Sequence, residues 1–437
     1  MDDTVSSSAA EIRFRPIDRQ QLISAHLDEL LAAEHPARLL VEFVAGLDFS
    51  PLHATIKSRG SQAGASAFRP ELLFSLWLLA TVEGIASARQ LEALCQRDLA
   101  YRWLCGGASP SYHTLSTFYT AHGEWLDATF VAILATLTHQ RLLSVQAIAV
   151  DGRKIPANAS KESFHREPTL ARHRLEAEQH VATLRQQRAL AQATSSQQAA
   201  ARRRAAADRQ QRLDAAVATV RQRQAERTAR DRSDTKPEEA RASETDADAR
   251  KMKRSHGGYE PAFNVQTATA VDSGLIVAVL VLDQASDNGQ LLPLVEQTTA
   301  NVGRQPQQVL ADAGFASASD VAALETAQVE VLMPPKNERK DKAQGKDPYR
   351  RKRDDSDAIA QWRQRMGTAA ARERYSRRAP VAEGVHAQQS NRGWKRFRLR
   401  GLVKAQVEAL WQALGHNLCV LLSQIGLGLG MLRPKAI

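Results

Sequence analysis

Two aspartates stand out by their surroundings. Asp151 follows the apolar run Ala147-Ile148-Ala149-Val150 and precedes Gly152, while Asp312 follows Val309-Leu310-Ala311 and precedes Ala313-Gly314-Phe315. A short continuous apolar run that ends in a turn reads as a buried strand, so each carboxylate is expected at the end of a rigid element. Carboxylates held that way suit metal-assisted chemistry on phosphodiesters. That chemistry needs several oxygen ligands converging on hard cations, two of them ~3.5–4 Å apart in the two-metal arrangement. The competing reading is ordinary turn chemistry, because Asp-Gly and Asp-x-Gly are common wherever a chain reverses. Taken alone, either aspartate fits both.

Other polar residues fit plainer roles. Asp287, before Asn288-Gly289, reads as the cap of a helix over 290–299. Glu408 reads as a surface charge on a C-terminal helix, Glu373 has no motif around it, and His256 beside Gly257-Gly258 reads as a turn.

The elements that must position the two aspartates differ along the chain. Residues 1–140 read as helical: Pro70-Glu71 opens one helix with Leu72, Leu73, Leu76 and Leu79 on its apolar face, and Ser87 starts another. From Gln146 the pattern turns to short apolar runs, at 147–150, 263–271, 275–282 and 309–311, with helical stretches at 291–299 and 318–327. This is an α/β core with mixed strand connections. Between them, residues 164–256 hold no glycine and no aromatic after Phe164, and are rich in Ala, Gln, Arg and Glu. Two long helices folded as a hairpin, broken near Thr194-Ser195-Ser196, fit this stretch best; a partly disordered insert is the alternative. Its tail, 235–248, reads as an exposed linker. The last segment, 401–432, reads as an apolar-patterned helix packing back on the core.

Charge points to the partner. The 437 residues carry 59 Lys+Arg against 48 Asp+Glu, a net of +11. Residues 1–140 are net acidic, so the excess lies later: nine basic against three acidic residues in 336–353, and ten against two in 371–404. Two solvated faces are the plain reading. Two such stretches, the second with Trp394 and Phe397 inside GWKRFRLRG, favour a surface for phosphate backbones. The start of the sequence is polar, no apolar run approaches the ~20 residues of a membrane span, and three scattered cysteines suit neither a disulfide framework nor a zinc cluster. A soluble, intracellular protein is expected.

Several segments, in order, resemble one family. AVDGRKIPANASK, KMKRSHGGYEPAFNVQTATAVDSGLIV, DNGQLLPLVEQ, VLADAGF, and Tyr375…Arg378…Glu383 followed by RFRLRGLVKAQVEALWQALGHNL resemble DDE-type transposases of bacterial insertion sequences. The earlier FRPELLFSLWLLATVEGIASARQLEALCQRDLAYRWLCGG looks like the helical module such enzymes carry.

The resemblance implies a ribonuclease H-like catalytic domain over 141–437, interrupted by the 164–256 helical hairpin and preceded by the 1–140 module for end binding or dimerisation. It implies a metal-binding catalytic triad of Asp151, Asp312 and Glu383, holding two Mg²⁺ ions for which Mn²⁺ can substitute. Tyr375 and Arg378 are companions of Glu383, and with Arg392, Lys395, Arg396, Arg398 and Arg400 they are the implied DNA contacts. The implied partners are the element's terminal inverted repeats and target DNA, with a homodimer as the active form and the bacterial cytoplasm and nucleoid as its location. The family usually has a lysine about seven residues after the glutamate, where this chain has Ser390. A decayed copy that binds ends without cutting, and a standalone ribonuclease H-like nuclease, are the alternatives.

Overall fold

The computed structural model describes residues 25–57, 66–190, 197–229, 236–254 and 257–424. Its centre is a mixed sheet. Strand β1 (Ala147–Pro156) lies in the middle; the ribbon strands β2 (Phe164–His165) and β3 (Ala242–Ser243) pair only with each other. Then come β4 (Arg250–Lys253), β5 (Tyr259–Ala270), β6 (Ile276–Leu282), β7 (Gln308–Leu310) and β8 (Glu330–Leu332). The order across the sheet is β4–β5–β1–β7–β8, and β6 also pairs with β5. Strand β5 is antiparallel to β1, whereas β7 and β8 run parallel to β1 and to each other in turn.

Pair lengths create the opening for a site. Strand β1 pairs with β5 from Ile148 to Pro156, but with β7 only from Ala147 to Ala149. Past Ala149 the β7-side edge of β1 has no strand neighbour among the described residues, and Asp151 lies on that stretch. The aspartate therefore sits within a long strand, opposite Thr267, and not at a strand end as its sequence suggested.

The Leu402–Gln424 helix ties the sheet to the N-terminal helices. Strand β6 needs partners for its backbone groups, because an unpaired buried peptide group is costly. Two amide side chains of the helix supply them. Asn417 accepts from the Ile276 N–H (2.8 Å) and donates to its carbonyl (2.9 Å), and Gln406 accepts from the Val281 N–H and donates to the Val279 carbonyl, both at 2.8 Å. On the other side of the helix, Trp411 stacks on Tyr119 with centroids 5.3 Å apart and packs on Phe74. The Pro70–Val82 helix is buried nearly all round, from Leu73 to Val82, where the sequence pattern pointed to a single apolar face. One hydrophobic core consequently runs from these helices through the sheet.

The insertion keeps a small core of its own. Helices Glu167–Leu190 and Gln197–Ala229 pack as a hairpin around Leu170, Ala177, Leu213, Ala216, Val217 and Val220, with Ala240 and Ala242 added from the returning chain. Leu175, on the first of these helices, faces solvent. The returning segment is no exposed linker: Ala240, Ala242, Ser243, Asp246 and Ala249 are buried. The guanidinium of Arg223, itself buried, donates to the carbonyls of Arg241, Ala247, Asp248 and Ala249, which draws this segment onto the hairpin. The expected break at 194–196, His256 and the residues after 424 lie outside the described residues.

Candidate active site

The free stretch of β1, the turn after β7 and one helix meet at a single point. Asp151 projects from β1 and is mostly buried; its Oδ1 accepts from the Gly152 N–H at 3.0 Å. Asp312 follows β7, and its Oδ1 caps the turn Ala313–Phe315 by accepting from the Gly314 N–H at 2.7 Å. That leaves Oδ2 outside the turn, 3.9 Å from Arg378 Nη2, so the turn role and a ligand role share the one carboxylate.

The helix Arg378–Asn391 packs on β1, and its first residue joins the two aspartates. Arg378 Nη2 donates to Asp151 Oδ1 at 2.9 Å and stands 3.9 Å from Asp312 Oδ2. Tyr375, partly buried one turn earlier, has its hydroxyl beside Arg378; burial raises its pKa, with the Arg378 charge opposing and the Asp312 charge adding. Further along, His386 Nε2 lies 3.5 Å from Asp151 Oδ2. Burial, reinforced by Arg153 and Arg378, lowers the His386 pKa to about 3, so this imidazole is neutral at ordinary pH.

Burial also raises the Asp151 pKa, to about 6; Arg378 pulls it down, and Asp312 and, more weakly, Asp287 push it up. Asp287 is thus close enough to be felt. It is not the helix cap its sequence suggested: the cap position of the Leu291–Val302 helix is Gln290, which makes no side-chain cap bond. The Asp287 Oδ1 instead accepts from Asn264 Nδ2 at 2.7 Å and Gln266 Nε2 at 2.6 Å. The same oxygen occupies space into which a β-carbon on Gly152 would collide. Glycine at 152 is what lets a third carboxylate approach β1.

Glu383 lies on the Arg378–Asn391 helix, exposed, and among the described residues makes no hydrogen bond or ion pair. It precedes His386 by three positions, and residues so spaced are neighbours on a helix surface. Asp151 and Asp312 are brought together through Arg378, whereas no contact among the described residues joins Glu383 to either of them. The acidic oxygens are not drawn into one tight cluster. Among the described residues, only His165, His173 and Glu244, at the root of the insertion, have ligand atoms all within 4.8 Å of one another. There His173 already pairs with Glu244 at 2.9 Å. Ser390 donates to the His386 carbonyl within the helix.

The GWKRFRLRG segment crosses the end of β1, anchored by the Phe397 N–H on the Pro156 carbonyl at 2.8 Å. Its residues sort by burial. Trp394 and Phe397 are buried in the core and offer no stacking surface, whereas Lys395, Arg396, Arg398 and Arg400 are exposed. Arg392 is half-buried, reaching His416 Nδ1 at 3.2 Å. Glu408, expected on the surface, is buried beneath the segment and accepts from the Arg398 and Leu399 N–H groups and from the Trp394 indole. The basic residues of 336–353 are exposed.

Comparison with known proteins gives two family matches. The family described as "Transposase domain (DUF772)" matches residues 25–121, and the one described as "Transposase DDE domain" matches residues 217–418. The second match takes in Asp287, Asp312 and Glu383; Asp151 precedes it and joins the site through the geometry. No curated protein and no solved structure matches the chain. Among the described residues no helix is long and apolar enough to cross a membrane. Divalent metal and DNA binding are typical of the family. With the two matched domains covering the helical module and most of the mixed sheet, the chain belongs to the DDE-type transposases, DNA-transposing enzymes with a ribonuclease H-like catalytic domain.

Proposed function

We propose that Asp151, Asp312 and Glu383 are the acidic triad of a transposase that cuts at the ends of its own insertion sequence and joins them to target DNA, using two Mg²⁺ ions. The observation that carries this reading is the placing of Arg378. The residue that opens the helix bearing Glu383 is hydrogen-bonded to Asp151 and stands beside Asp312.

The residues fit hard divalent ions. The donors are carboxylate oxygens, which suit Mg²⁺ and Mn²⁺. Asp151 and Asp312 share the single guanidinium of Arg378 and Asp287 lies close enough to Asp151 for its charge to be felt there, an acidic excess that a divalent ion would balance. Bound ions would supply Lewis-acid stabilisation of the attacking and leaving oxygens of an in-line displacement. The chain's own part is positional: β1 and the turn after β7 fix Asp151 and Asp312, and the helix carries Glu383 and Arg378 on one element. Arg378, Tyr375, Lys395, Arg396, Arg398 and Arg400 would hold phosphates of the cut strand. Arg392 would act from its inner position on the fold of that strip. The 1–140 module would bind ends or make dimer contacts, and 141–437, with the 164–256 insertion, would be the catalytic domain.

The test is a strand-cleavage and strand-transfer assay on DNA that carries the sequences flanking this reading frame. Purified protein with Mg²⁺ should nick at the element ends and yield joined products, and Glu383→Gln should abolish both while retaining DNA binding. Full activity of Glu383→Gln would remove Glu383 from the triad.

A further inference from the structure

We propose that Asp287 is a fourth carboxylate of the divalent-ion site, an inference that rests on the metal-dependent reading above and adds a ligand to it. The family match assigns no role to this residue. Three features of its surroundings point to one.

First, the carboxylate is fixed with unusual care. Asn264 and Gln266 are fully buried on β5, and each donates its amide N–H to the same oxygen, Asp287 Oδ1. Among the described residues their own amide oxygens find no hydrogen-bond partner. A buried acceptor left unmatched is a cost, and here two are left so that one carboxylate is held by both amides. Metal ligands are commonly oriented by outer hydrogen bonds of this kind.

Second, the fold leaves room for it beside the other acids. A β-carbon on Gly152 would collide with Asp287 Oδ1. A β-carbon on Gly314 would come within 2.8 Å of Asp312 Oδ1 and 3.6 Å of Asp287 Oδ2. Both glycines thus clear space beside Asp287, Gly152 on β1 next to Asp151 and Gly314 in the turn after β7. Oδ2, the oxygen not held by the amides, is the one on the Asp312 side.

Third, the guanidinium of Arg378 is shared by Asp151 and Asp312, while Asp287 Oδ1 receives two neutral amide donors. Three carboxylates on three separate elements, with one arginine between two of them, are poorly balanced without a further cation.

The readout is metal binding by the DNA-free protein, measured as Mn²⁺ affinity by electron paramagnetic resonance. Asp287→Asn keeps an oxygen for both amides and removes one negative charge; its Mn²⁺ affinity should fall at least ~10-fold, with thermal unfolding in EDTA unchanged. Gly152→Ala should weaken Mn²⁺ in the same direction without removing any charge, by displacing the carboxylate. Should Asp287→Asn not fold, the wild-type protein gives the answer: Fe²⁺ with ascorbate and peroxide should cut the backbone near 151, 287 and 312. Cuts near 151 and 312 without 287, or wild-type Mn²⁺ affinity in Asp287→Asn alongside weakened binding in Asp312→Asn, overturns the inference and makes Asp287 a strut for the loop. Wild-type affinity in both variants overturns the metal-site reading itself, and the inference with it.

Discussion

Arg378 Nη2 lies 2.9 Å from Asp151 Oδ1, across 227 positions of sequence, and the pair is largely shielded from water. Removing one member of a buried ion pair leaves the other charge unmatched, which typically costs about 3–5 kcal/mol. Arg378→Gln should therefore lower metal-free stability near pH 7.5 by about that much. The loss should shrink toward pH 5, where Asp151, its pKa already raised to about 6, takes up a proton and needs no counter-charge. Mg²⁺ should stabilise this variant more than the wild type. Urea unfolding in EDTA and in Mg²⁺ at both pH values checks this.

The exposed strip and the buried aromatics beside it should respond in opposite ways. Neutralising Lys395 and Arg398 should weaken binding to any duplex and lower the log–log salt slope by ~0.9 for each phosphate left without its cation. Stability should hardly change, because both side chains face solvent. Trp394→Ala, by contrast, opens a cavity in the core and should cost about 3–5 kcal/mol. Salt-dependent binding isotherms and thermal melts on the same samples separate the two.

Acid–base behaviour is also expected in the N-terminal helices. Burial raises the Glu83 pKa from 4.5 to about 7, against the Tyr101 hydroxyl that donates to it at 2.8 Å. A carboxyl with a raised folded value favours the folded state when protonated. Its contribution is complete below about pH 4.5 and is lost as pH rises through about 7, a swing of roughly 3 kcal/mol. Glu83→Gln should unfold at nearly the wild-type denaturant concentration at pH 4.5 and at a higher one at pH 8. Parallel pH dependence of the two proteins would contradict this.

What the sequence made legible was whatever local pattern controls. Apolar runs located β1, β5, β6 and β7, the Pro70 and Ser87 helix starts were placed correctly, and the order of motifs pointed to the family. Features that depend on distant partners were not legible. Asp151 looked like a strand end because the continuation of β1, Gly152–Pro156, is polar at first and is held as strand by β5. Glu408 and the 235–248 tail looked exposed because their partners, the GWKRFRLRG backbone and Arg223, lie elsewhere in the chain. Asp287 was read by its neighbours Asn288-Gly289, a local signal that fits a cap. The signal that could have found it was Asn264 and Gln266 alternating on a strand otherwise apolar or small, two buried amides that need a partner.

The central claim is that carboxylates from β1, from the turn after β7 and from the Arg378–Asn391 helix hold the ions that cut DNA. Asp312→Cys tests it most directly, because a thiolate is a poor ligand for Mg²⁺ and a better one for softer ions. End-cleavage by this variant, on DNA carrying the element's ends, should vanish in Mg²⁺ and return in part in Mn²⁺, with DNA affinity retained in both. Cleavage by Asp312→Cys at the wild-type rate in Mg²⁺ would contradict the account.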